Sequence, residues 1–210
     1  MKDALHQMMS DAHARLEGRL VSAKESMEVH AGRREIVQST DAFLVNTCRH
    51  TAAVCDLVLP AARTHLENGQ ERVHRYVMQC KRSERAIIRA KQRMYGEAHN
   101  VGAQWSTVWE SVVTEVRALH VIEQELVADL SNVTEFRRRD ALAGRFESVA
   151  DHSPTRPHPS SPHTGILAHV SRWLWSWADR FWDVAEGRIV SERALPPEPD
   201  EPETPDQIAA

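Results

Sequence analysis

Only one proline, Pro60, falls in the first 153 residues of this 210-residue chain; the rest are at position 154 and beyond. Proline lacks a backbone N–H and its ring collides with the preceding helical turn, so helix interiors exclude it. A stretch this poor in proline is free to be helical almost throughout. Gly32, Gly69, Gly96 and Gly102 punctuate it. Between them apolar residues recur at three- and four-residue intervals rather than in alternation, the period of a helix. The expected fold class is therefore all-α. Helices are predicted over about 3–29, 41–66, 70–95, 104–131, 134–150 and 165–186. Ser39-Thr40-Asp41 would cap the second, and Pro60 would bend it.

This spacing divides the chain into five parts. Residues 1–38 form an N-terminal amphipathic helix with Leu5, Met9, Leu16 and Leu20 on one face. Residues 39–150 make an up-down-up-down four-helix bundle, the natural packing for consecutive amphipathic helices on short loops. A Pro/His-rich strap follows at 151–165, then a Trp-rich C-terminal helix at 166–190. The acidic, proline-rich tail at 191–210 has the composition of a disordered segment.

Composition narrows the function classes. Apolar residues make up 41% and charged residues 27%, with a net charge of −4. No apolar run approaches the roughly 20 residues of a membrane span. Met1-Lys2-Asp3-Ala4 begins no apolar h-region, so no export signal is expected. Cys48, Cys55 and Cys80 are odd in number and lack a CxxC spacing, which argues for a reducing, cytoplasmic setting. Glu198, Asp200, Glu201, Glu203 and Asp206 account for the net charge. The body is then near neutral, and nothing in its charge proposes nucleic acid. Phosphate loops, nucleophile elbows, HExxH and dinucleotide fingerprints are missing from the sequence, so no enzyme is predicted.

The informative residues are polar ones on apolar stripes. One stripe runs Phe43, Thr47, His50, Val54, Leu57, Ala61, and a second Val73, Val77, Cys80, Glu84, Ile87, Lys91, Met94. A third runs Trp109, Val112, Val116, Leu119/His120, Glu123, Leu126/Val127, Leu130. His50, Glu84, His120 and Glu123 each lie near the middle of a helix, where antiparallel packing would bring them to one level. His120 and Glu123, three apart, face the same way. Buried ionisable groups must be paired, neutralised or metal-bound. Inward carboxylates and imidazoles are how bundles hold di-iron or di-manganese centres, and these donors suit iron or manganese. A single histidine on an apolar face is more often hydrogen-bonded structure, and Glu84 could pair with a neighbouring arginine.

Several segments resemble a known family. Arg49-His50-Thr51-Ala52-Ala53, Arg93-Met94-Tyr95-Gly96-Glu97-Ala98-His99 and Leu119-His120-Val121-Ile122-Glu123-Gln124-Glu125-Leu126 are similar to the hemerythrin-like HHE cation-binding domain. So is the loop Pro154-Thr155-Arg156-Pro157-His158-Pro159 with Pro162-His163-Thr164, which resembles actinobacterial members. The likeness covers roughly residues 39–165. It implies a four-helix bundle around a non-haem di-iron centre that binds or senses dioxygen or other redox species, or handles iron. The metal residues would be His50, Glu84, His120 and Glu123, with Cys80 and Tyr95 as neighbours. The ligand set diverges from the family's: Arg85 stands beside Glu84 where a histidine is common, and Gln124 where a second carboxylate is common. A guanidinium from Arg85, paired with Glu84 and Glu123, could fill the metal's place.

A reading from a different class is a metal-free bundle acting as a protein-interaction scaffold. The last helix carries four of the six tryptophans, with Trp173, Trp177 and Phe181 on one face. That face would serve packing, a protein partner or self-association. His152, His158, His163 and His169 lack the spacing of a metal site.

Overall fold

The computed structural model describes residues 3–28, 32–95 and 104–153; the expectations for the strap beyond Ser153, the Trp-rich helix and the tail lie outside them. Among the described residues all regular structure is helical. The helices are α1 (Ala4–Glu28), α2 (Arg33–Ala53), α3 (Leu59–His65), α4 (Gly69–Tyr95), α5 (Trp105–Val133) and α6 (Phe136–Asp151), with a π turn at Val54–Val58 joining α2 to α3. No helix among them is long and apolar enough to cross a membrane.

Two features of the α2–α3 rod follow from local chemistry. Its start lies at Arg33, with Gly32 as N-cap, rather than at the expected Ser39-Thr40-Asp41. Ser39 and Asp41 have partners inside the fold instead, and Thr40 is buried. Ser39 donates to the Ile36 carbonyl and meets Ser26 Oγ at 2.7 Å, and Asp41 faces Lys91 at 3.5 Å. A side chain so engaged does not need to cap. At Pro60 the rod widens rather than breaks. The proline has no N–H and would collide with the Asp56 carbonyl. The Leu59 N–H instead bonds the Val54 carbonyl, five residues back, and the widened turn lets the helix continue to His65.

Cross-helix pairs give the directions. Ser26 meets Ser39, and His13 lies beside His50, so α1 and α2 are antiparallel. Glu17 pairs with Arg117, and Met27 accepts from Trp105, so α5 descends alongside α1. Arg72–Asp129, Arg75–Glu125 and Tyr76–Glu123 do the same for α4 and α5. The N-terminal helix therefore packs antiparallel to both α2 and α5. The short α6 runs with α1, through Asp3–Arg139 and Arg15–Glu147. Its Phe146 is buried, with Leu142 and Val149 packed alongside, and Phe136 is 63% exposed.

The apolar interior forms two clusters. One gathers Leu5, Met9, Val58, Tyr76, Leu126, Leu130 and Phe146. The other gathers Leu20, Phe43, Ile87, Trp109, Val112 and Val116. Residues 12–20 of α1 and 48–53 of α2 bridge the two, and this boundary is where the polar residues collect.

The turn into α4 depends on one small residue. Asn68 adopts φ 53°, and Gly69 follows, buried. A Cβ on Gly69 would stand 2.4 Å from the Ala62 carbonyl oxygen and 2.8 Å from that of Arg63. Backbone cannot yield as a flexible side chain would. Gly69→Ala is expected to lower stability by about 1–3 kcal/mol, the usual range for forced overpacking, measured as the shift in urea midpoint at constant helical signal.

Candidate metal centre

Four side chains from three rods converge at the boundary between the two clusters. His13 of α1, His50 of α2, and His120 and Glu123 of α5 each offer one ligand atom, and these atoms all lie within 4.8 Å of one another. The local sequence accounts for each position. His13 falls four residues after Met9 and three before Leu16, on the buried stripe of α1. His50 is the buried step between Thr47 and Val54, and Glu123 that between Leu119 and Leu126.

The carboxylate of Glu123 is fully buried and organises the group. His13 Nε2 lies 2.7 Å and His50 Nε2 2.8 Å from its Oε2. Tyr76 of α4 donates its hydroxyl to Oε1 at 2.8 Å. Gln124 Nε2 reaches His13 Nδ1 at 3.5 Å, the arrangement in which Nδ1 accepts and Nε2 carries the proton given to Glu123. His120 stacks on His13 with ring centroids 4.1 Å apart and an interplanar angle of 14°. Its Nε2 is buried and has no hydrogen-bond partner. Phe146 closes over His50, ring edge to ring at 5.4 Å.

Electrostatics follow from burial and proximity. Burial alone would push the Glu123 carboxyl up, but the neighbouring His50 and the hydrogen bonds from His13 and His50 outweigh it and hold the group well below the usual carboxylate range. Burial pulls His120 down to about 3, against the pull of Glu123, so its imidazole is neutral with a free lone pair. Burial and the Glu123 charge keep Tyr76 protonated, its pKa far above the ordinary value. Cys80, on α4 one turn from Tyr76, is raised by its hydrogen bond with Cys55 and by burial.

Three of the four residues expected from the sequence, His50, His120 and Glu123, are thus brought together, and Glu84 is not among them. The buried stripe of α4 runs Val73, Tyr76, Cys80, Ser83, Ile87; it shares Val73, Cys80 and Ile87 with the expected line but takes Tyr76 and Ser83 in place of Val77 and Glu84, and Glu84 is half-buried. Arg85 is exposed and does not fill the cluster. The side chain of Tyr95 lies outside the described residues. His152 is exposed, with Nδ1 2.7 Å from the Ser148 carbonyl. His13 was not anticipated, although its spacing on the Met9–Leu16 stripe was the signal for it. Tyr76 was hidden by the stripe offset.

Chemically the cluster is three imidazoles and one carboxylate, without thiolate. Four ligands at about 2.1 Å from a shared ion stand about 3.4 Å apart. The two imidazole–carboxylate pairs would open slightly and the widest pair would close, both within side-chain reach. The donors therefore fit an ion such as iron, zinc or manganese. No protein-family model, curated protein or solved structure matches the chain.

In chelator-treated protein the signs of the shifts at His120 and Glu123 agree. His120 is depressed in the fold, so the unfolded chain takes up its proton first as pH falls below about 6.5, the ordinary histidine value. Glu123 is also depressed, so its stabilising contribution is present at neutral pH and is lost further into acid. Metal-free stability is expected to fall from pH 6.5 toward 3, by up to about 1.4 kcal/mol per pH unit for each proton involved. His120→Phe should flatten the upper part of that slope, read from urea midpoints across pH.

Proposed function

We propose that this chain is a non-haem iron-binding protein of hemerythrin-like layout, with His13, His50, His120 and Glu123 as the ligands. In this reading α1, the α2–α3 rod, α4 and α5 form the up-down-up-down bundle. The use is dioxygen or redox sensing, or iron handling, in a reducing cytoplasm. The observation that carries the reading is the orphaned His120 Nε2. A buried polar atom without a partner is costly, and this one faces two imidazoles and a carboxylate that could share an ion with it. Iron is preferred among the fitting ions because the segments around His50 and His120 resemble a non-haem iron family.

Bound iron would supply a one-electron couple and an open affinity for small oxidants. The chain's own residues do the rest. Glu123 contributes the negative charge that offsets the ion, and Tyr76 fixes the carboxylate's rotation. With His13 Nε2 on the ion, Nδ1 would carry the proton and Gln124 would turn its amide oxygen to receive it, as a partner on the non-ligating nitrogen commonly does. Phe146 and the flanking apolar clusters keep bulk water away.

A second reading has its own observation. Glu123 already receives three donors, so a metal-free network satisfies all but His120. The chain would then be an interaction scaffold, its partners met by the tryptophan face of Trp173, Trp177 and Phe181, outside the described residues.

Elemental analysis separates the two. Protein from iron-supplemented cells should carry iron, and His120→Ala should reduce it to background while far-ultraviolet circular dichroism stays helical. Unchanged iron in the variant removes His120 from the ligand set. Iron-free wild type favours the scaffold.

A further inference from the structure

The resemblance to hemerythrin-like domains implies a pair of iron ions, and the donors in the cluster do not suit a pair. Paired centres hold their ions about 3.5–4 Å apart, and each ion needs its own donors as well as carboxylates that bridge. The cluster has four donors, and among the described residues no second group of three or more His, Cys, Asp or Glu converges. Its one carboxylate has an oxygen already engaged, since Oε1 accepts from the fully buried Tyr76 hydroxyl at 2.8 Å. Oε2 alone faces His13 and His50. Cys55 and Cys80, the buried thiols nearby, bond each other and stand outside the converging set.

We infer that the cluster is a single-ion centre and that Tyr76 is the positioning residue that makes it so, by holding Glu123 as a one-oxygen ligand. The inference rests on the metal reading above and sharpens it. Burial sustains the arrangement. A phenol at this depth needs a partner, and Glu123 Oε1 is the one the structure gives it. A bridging ion at Oε1 would have to displace that hydrogen bond and leave the phenol unpaired.

The test uses cobalt(II) titrated into the chelator-stripped full-length chain, with visible absorption reporting both occupancy and coordination number. The quantity read is the number of ions lost between wild type and Glu123→Gln, with His120→Ala as a second variant in case the first is poorly folded. One ion lost supports the inference. Two lost overturns it while leaving the metal reading intact, and none lost from either variant overturns the metal reading itself. Tyr76→Phe keeps the ring and frees Oε1, so the carboxylate can chelate through both oxygens. Its cobalt bands should shift and weaken several-fold, as expected for a higher coordination number. Bands identical to wild type overturn the role given to Tyr76, since simple loosening of the core would leave coordination unchanged.

Discussion

A carboxylate held without water in the middle of a helical protein constrains everything around it. Stripped of hydration, Glu123 would cost several kcal/mol unless its charge were met by donors. The fold meets it from three other helices at once: His13 on α1, His50 on α2 and Tyr76 on α4. This requirement sets the axial register of the rods. Sliding any of them by one turn, about 5.4 Å, would strand either a donor or the acceptor. Apolar packing holds the helices together, and the buried charge selects among the ways in which they could pack.

The two apolar clusters on either side make that selection possible. Leu126, Leu130 and Phe146 seal one side, and Phe43, Trp109 and Val112 the other. With few routes for water, hydrogen bonds in the layer between are strong, and an unpaired group is correspondingly expensive. The widened turn at Val54–Val58 begins one helical turn after His50 and supplies Cys55 and Val58 to the sealing shell. A proline that would elsewhere end a helix is here absorbed by the rod, which stays continuous past the polar layer.

The all-helical character was legible because it rests on short-range rules: a near-absence of proline and a steady three-to-four spacing. The α5 stripe was legible residue by residue, since Leu119, Glu123 and Leu126 leave little doubt about which side is inward. The stripe of α4 was not. It is rich in arginine and glutamate, and two adjacent lines one residue apart read almost equally well. The structure buries Tyr76 and Ser83 rather than Val77 and Glu84, and the Tyr76 phenol reaches Glu123. His13 escaped for another reason. Its partner is 110 residues away, and nothing in the spacing of α1 reveals that the helix belongs with the other rods.

That separation of 110 residues has a consequence for how such a centre comes into being. Closing a loop of this length costs chain entropy that grows only slowly with its span, yet no fragment short of nearly the whole body owns a complete set of donors. An ion taken up by these side chains would bind the assembled state and not its parts, so occupancy and integrity would rise and fall together. On the ribosome α1 would wait for α5 before it acquired any use for its histidine.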